Sequence, residues 1–107
     1  MKTKELLEKA AGVLEKRGWC RNTLEDGNGR VCAVGAILTA QTGDPNTYGR
    51  EDDRPQRWTA YRRILKALGL EVESERAECA VVDWNNEDCK SKVEIVRVFR
   101  KAAALKS

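Results

Sequence analysis

The 107-residue chain contains no histidine. That removes the commonest metal ligand and the commonest general base from its chemistry. None of its four cysteines stands in a C-x-x-C pair, so the ligand spacing of a structural zinc site is missing. No apolar run approaches the ~20 residues needed to cross a bilayer. The opening Met1-Lys2-Thr3-Lys4-Glu5-Leu6-Leu7-Glu8 sets acids among its leucines, where a signal peptide carries an unbroken apolar stretch of roughly 7–15 residues. There is no phosphate loop, dinucleotide fingerprint or nucleophile elbow. The charge excess is only +3, smaller and less clustered than that of a dedicated nucleic-acid binder. The expectation is a cytoplasmic protein with no membrane contact, no cofactor, no metal and no assignable catalytic residue. Its cysteines are expected as free thiols, the default in a reducing compartment.

What is present suits one folded unit spanning residues 1–107. Hydrophobic residues make up 41% and charged residues 35% of the chain, a balance of a globular rather than a disordered protein. A chain of this size buries roughly two-thirds of its unfolded surface, enough for one core. Apolar residues recur at helical spacing in four places, so the expected fold is mainly α, a compact bundle of about four helices. The first runs from about Lys4 to Arg17, capped by Thr3, with Leu6, Leu7, Ala10, Val13 and Leu14 inward and Gly18 as its stop. The uncharged segment Val31–Ala40 reads as a buried central helix ended by Gly43. Gly35 within it, between Ala33 and Ala36, signals that another element packs very close. Asp44–Arg54 is a polar surface loop. Pro55 opens a third helix that reaches Leu68 with Trp58, Tyr61, Leu65 and Leu68 inward. Ser91 and Glu94 match a capping box ahead of a last helix to about Leu105, with Ile95, Val98, Phe99, Ala102 and Leu105 on its apolar face. Asp26-Gly27-Asn28-Gly29 is a turn. A hairpin across it, Cys20–Leu24 against Arg30–Cys32, is one reading of the loop. Cys79–Trp84 fits either a short helix or a strand.

Three groups of residues carry candidate chemistry. Cys20 and Cys32 flank the glycine-rich turn, and Cys32 falls in the first turn of the central helix, where the dipole lowers a thiol pKa. With no histidine to act as base, buried thiols serving as small hydrophobes are the favoured reading. Asp83-Trp84-Asn85-Asn86 combines an aromatic wall with an amide that both donates and accepts. Its structural alternative makes Trp84 a core anchor and gives Asn85 to backbone groups. Arg54, Arg57, Arg62, Arg63 and Lys66 form a cationic segment suited to phosphates. The competing reading is an ordinary solvated helix face.

The run Gly18-Trp19-Cys20, then Gly29-Arg30-Val31-Cys32-Ala33-Val34-Gly35-Ala36, then Asp83-Trp84-Asn85-Asn86 ahead of a capped helix ending Arg100-Lys101-Ala102-Ala103, resembles an uncharacterised family of small proteins. That family occurs in actinobacteria, other bacteria and their phages. Its members carry a tryptophan before the loop, a Cys-Ala-x-Gly-Ala helix and a Trp-Asn-Asp turn. The matched positions are Trp19, Cys32, Gly35, Trp84 and Asn85. Asn86 stands where the family usually has aspartate, which argues against a role that needs a carboxylate there. The resemblance implies a phage or bacterial origin and a helical fold, and names no reaction.

The functional expectation is therefore an accessory protein that binds a host or phage protein. The alternative is a small-molecule binder with a pocket near Trp19, Cys20, Cys32, Trp84 and Asn85. A cysteine-dependent enzyme and a nucleic-acid binder are the further alternatives.

Overall fold

A computed structural model describes residues 1–48 and 51–105. Residues 49 and 50 of the anticipated polar loop lie outside it. The described residues form five α-helices: α1 (Thr3–Arg17), α2 (Ala33–Thr42), α3 (Arg54–Ala67), α4 (Ala77–Asp83) and α5 (Lys92–Ala104). Helix α4 resolves the ambiguous Cys79–Trp84 run as helical, and it continues into a widened turn, Trp84–Asp88. No strand forms among the described residues. The expected hairpin reduces to two isolated bridges, Trp19 with Val31 and Glu25 with Val31. Its arms cannot pair in register because Val31 bridges both partners, while Leu24 O accepts Cys32 N at 3.2 Å.

Helix α1 packs on α2, α3 and α5, while α3 also meets α4 and α5. The core gathers Leu6, Leu7 and Leu14 of α1, most of α2, and Ile95 and Phe99 of α5. Helix α2 is buried from Ala33 through Leu38, as its uncharged sequence requires. Gly35 lies there under the Leu24 carbonyl, where an added Cβ would collide with backbone. The close approach signalled by Ala33-Val34-Gly35-Ala36 is thus made by the loop before α2.

Helix ends follow their chemistry, with two shifts. Gly18 and Gly43 terminate α1 and α2 at φ 92° and 87°, values glycine adopts without steric cost. Thr3 does not cap α1: Leu6 N already bonds Lys2 O at 2.9 Å, so the helix starts one residue earlier and Lys2 takes the cap position without a side-chain bond. Ser91 Oγ accepts Glu94 N at 3.1 Å, but the Glu94 carboxylate returns to Lys90 N at 2.8 Å rather than to Ser91.

Helix α3 is rotated from its expected face. Its buried residues are Arg57, Ala60, Tyr61, Ile64, Leu65 and Ala67. Trp58, expected inside, is 36% exposed, and Arg57, expected in solvent, is 5% exposed. A stripe through Trp58 would leave Ile64 outside. The stripe 57-60-61-64-65 buries both Ala60 and Ile64, so apolar burial selects it.

Candidate functional site

The residues singled out at the front of the chain converge, around Asn85. This side chain is 1% exposed and follows the core residue Trp84 in the widened turn. Its Oδ1 accepts Trp19 Nε1 at 2.8 Å and Ala33 N at 2.9 Å. Its Nδ2 donates to Cys20 O at 3.2 Å and Asn86 Oδ1 at 3.0 Å. Two donors and two acceptor positions are the whole capacity of an amide, and all four are used. Asn85 thus joins the loop, the first turn of α2 and the end of α4. Asn86 Oδ1 also accepts Asn22 N at 2.8 Å, at a residue held with φ 67°. Both bonds to Asn86 Oδ1 need only an acceptor, which an aspartate supplies equally well. The position calls for no negative charge.

The loop is pinned from outside as well. Arg21 lies over the Trp19 ring at 5.1 Å and donates to Cys89 O. Arg17 pairs with Glu25 and donates to Gly29 O at 2.9 Å. Asp26 Oδ1 accepts both Asn28 N and Arg30 N at 2.9 Å, which folds the Asp26–Gly29 turn.

The thiols are free, and only Cys79 is exposed. Cys20 Sγ donates to Arg30 O at 3.3 Å, and Cys89 Sγ to Ser91 O at 3.5 Å. Both contacts need the proton in place. Burial raises all three buried thiols above the ordinary value, and Cys20 is pushed up to about 11, with the neighbouring Cys32 adding to the effect. Cys32, expected within the first turn of the central helix, is instead its cap: the helix starts at Ala33, and Cys32 Sγ accepts Gly35 N at 3.4 Å. Desolvation outweighs that favourable helix end. Cys32 and Asn85 line a cleft of about 170 Å³ with Asn22, Leu24, Val82 and Asn86. Trp19, Cys20 and Trp84 are not among its lining residues. Trp84 is 5% exposed within the core.

The cationic segment does not present one face. Arg54 is half-exposed and lies 3.6 Å from Glu51. Arg62 is exposed and bonds Ser74 Oγ at 3.3 Å. Arg63 lines a groove beside Lys2 and Lys4, and Lys66 is exposed. Arg57 alone turns inward, and around it lies a second polar cluster that periodicity did not reveal.

Arg57 Nη1 donates to Gln41 Oε1 at 3.0 Å. The Gln41 amide is fixed by its own bonds to Asp53 O at 3.0 Å and Gln56 Oε1 at 3.3 Å. The Arg57 guanidinium stacks on the half-exposed Tyr48 ring at 5.7 Å. Among the described residues no carboxylate lies within 4.0 Å of Arg57. One helical turn further along α3, the Tyr61 hydroxyl is fully buried and has no hydrogen-bond partner among the described residues. Glu78 accepts the Tyr48 hydroxyl at 3.0 Å. Burial first and the Glu78 charge second raise the Tyr61 phenol far above its ordinary value, with Arg57 opposing. The sequence signal for this cluster was the pair Ala60 and Ile64, which centres the α3 stripe on Arg57 and Tyr61.

A family model described as a family of unknown function (DUF6197) matches residues 1–105. The chain belongs to that family. No curated protein and no solved structure matches it.

Proposed function

We propose that this member of the DUF6197 family is a binding protein, a cytoplasmic accessory factor of phage or bacterial origin, and that it holds a small polar ligand at the inner face of α3. One observation carries the reading: Arg57 is 95% withdrawn from solvent with no carboxylate partner among the described residues. Burying a charge without a counter-charge is costly; Gln41 and the Tyr48 ring offset part of that cost, and a bound anion would offset the rest. The protonated buried thiols favour binding over cysteine catalysis, and they suit a reducing cytoplasm.

The test is thermal unfolding of the full chain against a panel of small polar metabolites, run on the wild type and on Arg57→Met. A true ligand at a hundredfold excess over its Kd adds about 2.7 kcal/mol to the wild type and little to the variant. A panel in which no compound acts, or in which both proteins respond alike, would defeat the reading.

A second reading has its own observation. Between α1 and α5 lies a groove of about 490 Å³ lined by Glu15, Lys92, Val93, Val96, Arg97 and Arg100, with Val93 64% exposed. With Arg100 paired to Glu15, Lys92 and Arg97 beside two valines fit an acidic, apolar-faced helix of a host or phage protein. Val93→Glu is then expected to abolish capture of such a partner. Equal capture by both proteins would count against this groove.

A further inference from the structure

Resting on the ligand-binding reading, we infer that the Arg57–Tyr61 site selects a monocarboxylate. The argument begins with donors and acceptors. A guanidinium offers five N–H groups and no acceptor, and Arg57 uses Nη1 on Gln41. Among the described residues the Tyr61 hydroxyl has no hydrogen-bond partner. The two side chains stand four residues apart on one helix, the spacing that brings side chains together on a face. Gln41 contributes only its carbonyl, because its NH₂ group is committed to Asp53 and Gln56. The open capacity is therefore chiefly donor capacity beside a positive charge: the remaining guanidinium N–H groups and the Tyr61 O–H, whose oxygen can also accept. A ligand completes it by bringing acceptor oxygens and a negative charge, which is an oxyanion.

Glu78 decides how much negative charge the site takes. Its carboxylate accepts the hydroxyl of Tyr48, the ring on which the Arg57 guanidinium stacks, so one negative charge already borders the site. A second negative charge on the ligand would face this carboxylate. Phosphate carries that second charge for much of the time near neutral pH, whereas a carboxylate does not. A carboxylate is also planar, and it matches the guanidinium fork with two parallel bonds. Tyr48 marks the way in. Its ring is the exposed partner of Arg57, and a ligand that moves it aside replaces a cation–π contact with charge-assisted hydrogen bonds, which are stronger.

The experiment is NMR titration of the full-length protein, following the Arg57 Nε–Hε resonance at pH 7. The probes are acetate and longer straight-chain monocarboxylates, acetamide as the neutral isostere of acetate, and inorganic phosphate. Carboxylates are expected to shift the resonance saturably and acetamide to leave it in place. Tyr61→Phe is expected to weaken carboxylate binding about tenfold, the effect of one hydrogen bond to a charged group. Arg57→Lys keeps the charge without the fork and should weaken it further. Glu78→Gln should raise phosphate affinity about tenfold while changing carboxylate affinity less. If acetamide matches acetate, or phosphate outbinds carboxylates in the wild type, the selection of a monocarboxylate is overturned and the ligand site stands. If carboxylates leave Arg57 unmoved while the metabolite panel yields an Arg57-dependent ligand, the class is again wrong and the site right. If neither experiment finds a ligand, both fall.

Discussion

Two polar clusters meet helix α2, one at its first turn and one against Gln41 in its last. At the first, Asn85 satisfies Trp19 Nε1, Ala33 N, Cys20 O and Asn86 Oδ1 and keeps nothing in reserve. At the second, Arg57 stays without an ion pair and Tyr61 without a partner among the described residues. Both are buried. A satisfied buried network rigidifies a fold, whereas an unsatisfied one costs free energy. The first cluster is therefore understood through stability alone, and the second calls for something outside the chain to complete it.

The sharpest attack on this contrast is Asn85→Ala. It would take the partner from the buried Ala33 amide and Cys20 carbonyl, at about 1–3 kcal/mol each before relaxation, and from the part-buried Trp19 indole N–H, at less. We expect a net loss of about 3–5 kcal/mol in urea unfolding, and a loss under 1 kcal/mol would break the contrast. Gly35→Ala comes next. Its Cβ meets the Leu24 carbonyl, which belongs to backbone and cannot swing aside, so the loop must move off α2. About 2–3 kcal/mol of stability should go, read by the same unfolding curves.

Tyr61→Phe tests the other cluster, with the opposite sign. Removing a buried hydroxyl with no partner among the described residues should stabilise the ligand-free protein by about 1 kcal/mol, seen as a rise of roughly 4–8 °C in Tm. A destabilised variant would show that the hydroxyl is satisfied within the fold. The same substitution is expected to weaken carboxylate binding, so stability and binding should move in opposite directions. Stability gained as function is lost is the pattern of a residue kept for use rather than for folding.

The smallest effects concern the thiols. Cys20 titrates at about 11 when folded against 9.0 as the ordinary value. The folded state therefore holds its proton over a window in which the unfolded chain has released it. Stability from this source is complete below pH 9 and falls as pH rises from 9 towards 11, which urea midpoints measured across that range will register. At pH 7 a mild alkylating agent should modify Cys79 quickly. Cys20, Cys32 and Cys89 should react only through opening of the fold. Fast labelling of Cys32 would revive the activated-thiol reading.

Much of the helical scaffold could be read in advance because its signals are local. The stop at Gly18, the buried uncharged stretch of α2, Pro55 at the start of α3 and the Ser91 cap each depend on a few neighbouring residues. Close packing at Gly35 was legible for the same reason, although its partner, the Leu24 carbonyl, was not. Asn85 stood out in the sequence as part of a distinctive run. Its bonds, however, reach Ala33, Cys20 and Trp19 across 52 to 66 positions, and no local pattern encodes such distances.

Helix α3 shows where reading along the chain stops. Arg57 and Trp58 are adjacent, and helical periodicity admits a stripe through either. The sequence by itself determined that this segment coils and that one side of it is apolar. The tertiary structure decided that the Gln41 carbonyl and the Tyr48 ring would wait beside Arg57, which lets a charged side chain lie inward while an indole lies outward. Helix formation is governed by residues three and four apart, whereas the orientation of a helix in its core is set by what other elements bring to its surface.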